Sequence, residues 1–206
     1  MPEIEPVPTE LPLDDWLARL ARPQGAPGGG AASGVALALS AGLLHMTAGY
    51  TDDPQAVEAE ARLATGRRDA LAAAEADGVR SAEFGAALAL PSDDPAREAR
   101  VRDGAVAAAQ SSVDLGEVGV ALLPDLRLLA EIANPNLGAD LAIAAQALAT
   151  GIFGAAVNLR ANLRIARSHA ADASTCAALA DDAARLAAAR AEAREIAEQV
   201  SARFDG

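Results

Sequence analysis

The chain has 206 residues, with 29 acidic against 17 basic side chains, every basic one an arginine, and a net charge of −12. Hydrophobic residues make up 51% and aromatics 2%, and roughly a quarter of the chain is alanine, which excludes a largely disordered protein and predicts an all-helical one. The acidity argues against nucleic acid as a partner, the lone Cys176 excludes an internal disulfide, and two histidines do not make a His-rich metal site.

Residues 1–12 read as a loose N-terminal arm, since Pro2, Pro6, Pro8 and Pro12 oppose a helix. The arm has no basic stretch leading into an apolar one, so a cytoplasmic protein is expected. Asp14 and Asp15 are placed to cap a short helix with Trp16, Leu17, Leu20 and Ala21 on one side. A loop over 22–30 ends in Gly28, Gly29 and Gly30, and opens onto a helical run.

From Ala31 to Tyr50 the chain carries no formal charge with histidine neutral, which is long enough for a membrane span. The run is rich in alanine and glycine, lacks cationic flanks and contains His45. It therefore reads as the central helix of a bundle, with no membrane partner. A long helix is predicted over 54–89 with a jog at Gly66, and a second from Ser92-Asp93-Asp94-Pro95 to about Ala133 with a kink at Pro124. After the break Asn134-Pro-Asn136-Leu-Gly138, a buried helix spans 139–167 and an amphipathic outer helix about 172–204. The fold class is all-α: an elongated up-and-down bundle of about five long helices plus a short N-terminal one, as a single domain over 1–206.

Three features can carry chemistry. Gly28–Gly30 at a helix start can let a ligand approach the backbone, or can serve only as a tight turn with close helix packing. No predicted strand precedes it and it does not match a nucleotide loop. Asp77 sits mid-helix beside Gly78, a glycine that weakens a helix by about 1 kcal/mol relative to alanine, which suggests close packing there; an ordinary solvated aspartate is the alternative.

The third feature is Asn136 and Asp140 followed by Asn158-Leu-Arg-Ala-Asn162. Asn158 and Asn162 lie four apart on one face of an apolar helix, where their amides need partners. Asp140 is 18 residues before Asn158, five whole turns, so the two point the same way about 27 Å apart at 1.5 Å per residue. They serve different ends of a long ligand, or a second subunit brings the distant part in, or one of them is structural.

These residues carry a resemblance. Ala26-Pro-Gly-Gly-Gly30 after a short helix resembles the Pro-Thr-Pro-Gly-Gly-Gly signature of the cyclodeaminase/cyclohydrolase family, which includes the C-terminal domain of formimidoyltransferase-cyclodeaminase and methenyltetrahydrofolate cyclohydrolases. Asn134-Pro-Asn136-Leu-Gly-Ala-Asp140 and Asn158-Leu-Arg-Ala-Asn162-Leu are similar to that family's Asn-x-Asn-x-x-Ser-Asp and Asn-Val-x-Ile-Asn-Leu motifs, in order and at matching spacing, over roughly residues 12–170.

The resemblance implies a homodimer acting on one-carbon adducts of tetrahydrofolate as substrate, without metal or organic cofactor. Asp77 is implied as the catalytic acid–base. Gly28, Gly29 and Gly30 would line the folate cleft, and Asn136, Asp140, Asn158 and Asn162 would be its polar residues. The expected reaction is hydrolysis of 5,10-methenyltetrahydrofolate to the 10-formyl form. Deamination of formimidoyltetrahydrofolate and a non-catalytic scaffold of the same fold are the alternatives. This chain departs from the family pattern at Gly25-Ala26, at Ala139 and at Ser81, where an aromatic is frequent. It also has Gly49-Tyr50-Thr51-Asp52-Asp53 where lysines are usual, leaving Arg67, Arg68 or Arg80 as substitute cations.

Overall fold

A computed structural model describes residues 8–23 and 26–204. Gly25 and the first seven residues of the arm lie outside the described residues. The helices are α1 (Leu13–Leu20), α2 (Gly29–Gly49), α3 (Pro54–Leu88), α4 (Arg97–Ile132), α5 (Gly138–Ser168) and α6 (Ala173–Ser201), with single 3₁₀ turns at Pro135–Leu137 and Ala202–Phe204. Five long helices run up and down, each packed on the next, and α2 also lies along α5.

Local chemistry sets the ends of these helices. Asp53 accepts a hydrogen bond from Gln55 N (2.7 Å), with Pro54 at the first helical position, and Asp172 does the same for Thr175 N (2.9 Å). Asp14 and Asp15 are not caps. Pro12 occupies the cap position, and the two carboxylates sit inside the first turn of α1, where they complement the positive end of the helix dipole. The α4 start is also later than its Asp-Asp-Pro signal: Asp94 accepts from Ala96 N (2.8 Å), and the helix begins at Arg97. The Arg97 guanidinium turns back to donate to the carbonyls of Leu90 (3.1 Å) and Leu88 (3.4 Å), satisfying acceptors that the end of α3 leaves open.

Neither expected irregularity interrupts a helix. α3 runs unbroken through Gly66, whose missing side chain makes room for Leu122 of α4, and α4 is continuous across Pro124. Next to that proline, the buried Asp125 carboxylate receives Arg62 Nη2 (2.7 Å) and Nε (3.1 Å) from α3. On the outside, Arg127 pairs with Glu192 and Arg185 with Glu117, joining α4 to α6.

The apolar character of α2 follows from its position. α3, α4 and α5 all pack on it, burying Leu37, Ala41, Leu44 and Ala48. Glycines set how close it comes: Gly34 faces Ala70 and Ala74 of α3, Gly119 of α4 faces Leu37, and Gly151 and Gly154 of α5 face Leu37 and Ser33. Among the described residues three helices are long and apolar enough to cross a membrane, and here they pack together in the middle of the bundle.

At the far end of α2, Thr51 Oγ1 donates to Thr47 O (2.8 Å), while the Thr47 hydroxyl itself is sealed and without a partner. A buried hydroxyl left unpaired loses its water for nothing in return. Thr47→Val keeps the branched shape and removes that burden. It is expected to stabilise the fold by about 1 kcal/mol, read as a higher urea midpoint at unchanged m-value.

Candidate active site

The register of α3 and α5, each antiparallel to α2, brings the glycine turn, Asp77 and Asn158 to one level of the bundle. Gly30, in the first turn of α2, lies against Asp77: a β-carbon placed there would overlap the carboxylate, 2.7 Å from Oδ1 and closer still to Oδ2 and Cγ. One residue earlier, a β-carbon on Gly29 would sit 3.9 Å from the Asn158 amide of α5. Gly28 is the extended residue that precedes the helix. The close approach expected at Gly78 occurs at Gly30 instead. The nearest atom to a β-carbon on Gly78 is Ala26 Cβ at 4.0 Å, an ordinary contact, because Gly78 points past the α2 start and not into it.

Asp77 is only 4% exposed. Burial raises its pKa above the usual carboxylate value, and a long hydrogen bond from Ser81 Oγ to Oδ2 (3.4 Å) partly offsets that rise. α1 and the chain before it roof this region. Trp16 is buried in a cluster with Ala31 and Ala74, and Thr9 donates through its backbone N (2.6 Å) and Oγ1 (2.8 Å) to Glu75 Oε1. Thr9 thus ties down the described end of an arm expected to be loose.

Asn158 and Asn162 are half-buried on the α5 face that meets the start of α2. Among the described residues neither side-chain amide finds a hydrogen-bond partner. Two polar groups in a partly buried place, with donors and acceptors unspent, are what a polar ligand would satisfy.

Asn136 and Asp140 lie at the opposite end of the bundle. Asn136 is exposed in the 3₁₀ turn, and its backbone N donates to Asn134 Oδ1 (3.0 Å). Asp140 is half-buried in the first turn of α5. The fixed residue of this segment is Asn134: its N donates to Thr51 Oγ1 (3.2 Å) and its Nδ2 to Tyr50 O (3.3 Å). Five turns of helix separate Asp140 from Asn158, about 27 Å, so one protomer does not bring Asn136 and Asp140 to Asp77.

The substitute cations do not gather at the carboxylate either. Arg80 pairs with Glu83 (2.9 Å) and Arg68 donates to Thr65 (3.0 Å), both on the exposed side of α3, while Arg67 packs its stem beside Gly42. Among the described residues no three His, Cys, Asp or Glu side chains cluster as a metal site needs. Sequence reasoning missed the bond from Ser81 to Asp77, although the i, i+4 spacing on α3 was its signal.

The arrangement is that of an all-helical protein with a buried carboxylate, Asp77, under a glycine helix start, beside two amides that have no partner among the described residues. Residues 12–181 match the family model described as formiminotransferase-cyclodeaminase, and the chain belongs to that family. Its fold is shared with the crystal structure of formiminotetrahydrofolate cyclodeaminase from Thermotoga maritima. The TM-score is 0.83 at 20% sequence identity, over 96% of this chain and 98% of that one. Comparison with curated protein sequences returns no match.

Proposed function

We propose that this protein is a folate one-carbon enzyme in which Asp77 moves protons at the carbon held between N5 and N10 of tetrahydrofolate. The observation that carries this is the buried, pKa-raised Asp77 carboxylate lying directly under Gly30, level with the unpartnered Asn158 amide. A carboxyl poised nearer neutrality can accept a proton and return it within one turnover.

Ring-closing deamination of 5-formiminotetrahydrofolate comes first, because the family description and the Thermotoga maritima structure both carry the cyclodeaminase name. N10 attacks the protonated formimino carbon and Asp77 takes the N10 proton. The same proton then passes to the amino group, the C–N bond breaks, and ammonia leaves with 5,10-methenyltetrahydrofolate as product. Hydrolysis of that product to the 10-formyl form is the second reading. Water then adds to the same carbon as Asp77 takes one of its protons; Asp77 returns that proton to N5 as the C–N5 bond breaks, and the remaining hydroxyl proton is lost to solvent as the formyl carbonyl forms. Neither reaction needs a metal or organic cofactor. The deciding experiment follows methenyl absorbance with each adduct: a rise with ammonia from the formimino substrate, or faster decay of the methenyl one. No change over buffer with either adduct overturns the proposal.

The distant Asp140 favours a homodimer. Leu39 and Met46 stand exposed on α2, with Ile143 and Val157 on α5, along the open sides of two adjacent helices. A two-fold axis at the level of residue 149, midway between Asp140 and Asn158, would set Asp140 of the partner subunit beside Asn158. Leu39→Glu is then expected to convert a dimer into monomers by light scattering and to abolish turnover. A dimer that survives this change removes the α2–α5 face as the interface.

A further inference from the structure

Three contacts define the α3–α4 register: Phe84 against Gly104, Gly66 against Leu122 and Arg62 against Asp125. In each pair the residue numbers climb on one helix as they fall on the other, in step. Asp77 lies seven residues before Phe84 and eleven after Gly66, two and three turns, so it shares their face of α3. Ser111 lies seven residues after Gly104 and eleven before Leu122, so it shares their face of α4. The position opposite Asp77 is therefore Ser111.

Ser111 is 9% exposed, and among the described residues its hydroxyl has no hydrogen-bond partner. Its neighbour Ser112 spends its own on Ala108 O (3.0 Å) in the ordinary helical way. The Ser111 hydroxyl keeps a sliver of solvent access, unlike the sealed Thr47. A hydroxyl placed by register across a helix interface from a buried carboxylate, and not bonded to it, has its hydrogen-bonding capacity free for a third group.

We propose that Ser111 is a substrate-facing residue of the Asp77 site, its hydroxyl and the carboxylate together holding the amine or water that leaves or attacks the one-carbon unit. This rests on the folate reading above for the identity of that group, and on the α3–α4 register alone for the pairing of the two side chains. Among the described residues no hydrogen bond of the Ser111 hydroxyl supports the fold, so its removal separates function from stability: alanine has the better helix propensity and leaves no orphaned partner.

Ser111→Ala is expected to lower kcat about 10- to 100-fold, as losing one hydrogen bond at the reacting centre would, with KM within about threefold and a melting temperature at or above wild type. Ser111→Thr, which restores a hydroxyl, recovers most of the rate, and Ser112→Ala leaves it unchanged. A wild-type kcat in Ser111→Ala overturns the role while the folate reading stands. Should the wild-type chain turn over neither adduct, the folate reading fails by itself. The carboxyl ¹³C signal of Asp77 in aspartate-labelled protein then decides the pairing: displacement in Ser111→Ala but not in Ser112→Ala supports it, and an unmoved signal overturns it.

Discussion

Asp77→Asn is expected to lose about 10²- to 10⁴-fold in kcat on whichever folate adduct the wild type turns over, the range for removing a general acid–base. The fold should survive, since an amide of the same shape enters a site that disfavours charge. The pH dependence of stability carries the sign. Burial puts the folded-state pKa of Asp77 above its unfolded value near 3.8, so the folded chain binds more protons than the unfolded one between those two pH values. Asp77 therefore imposes no penalty below about pH 3.8 and a growing one as pH rises through the folded pKa, after which the penalty is constant. Urea midpoints of wild type and Asp77→Asn should coincide in acid, then diverge in favour of the variant as pH increases. A wild type that gains on the variant with rising pH would mean that the carboxylate is stabilised where it sits, against the desolvation argument.

Gly30→Ala should produce the second-largest effect. Its new methyl would occupy the space of the Asp77 carboxylate, so either that side chain or the first turn of α2 must shift. Overpacking of this kind costs about 1–3 kcal/mol, and a reacting group displaced by ~1 Å loses about 10²-fold in rate. Two neighbouring glycines provide the contrast. Gly29→Ala meets the Asn158 amide at ordinary distance and should fold as wild type. Gly78→Ala has only Ala26 Cβ nearby, at 4.0 Å, and should stabilise α3 by about 1 kcal/mol through helix propensity. Equal melting temperatures and rates for all three variants would show that the α2 start does not clamp Asp77.

The roles of Asn158 and Asn162 illustrate how far spacing carries an argument. A spacing of four on one apolar helix face is enough to mark them as amides in need of partners, and among the described residues neither amide has one. The same arithmetic placed Asp140 about 27 Å from Asn158, and the fold keeps it there, at the end where Asn134 binds the α2–α3 turn. Gly78 shows the limit. Its cost to a helix is visible in the sequence, but the residue pressed against the carboxylate is Gly30, from a different helix.

What the sequence determined by itself is everything that depends on one helix at a time. Alanine content, caps and breaks set five long helices and a short one. The 1.5 Å rise set distances along each, and the 3.6-residue turn set which side chains share a face. Tertiary structure alone decided how the helices slide past one another. That register depends on where small residues let two backbones close, as Gly34 does against Ala70 and Ala74, Gly66 against Leu122, and Gly154 against Ser33. Each such contact is a sum over two surfaces and appears in neither strand of sequence by itself. It is the register that lowers Gly30 onto Asp77, sets Asn158 beside Gly29 and places Ser111 opposite Asp77 across the α3–α4 interface.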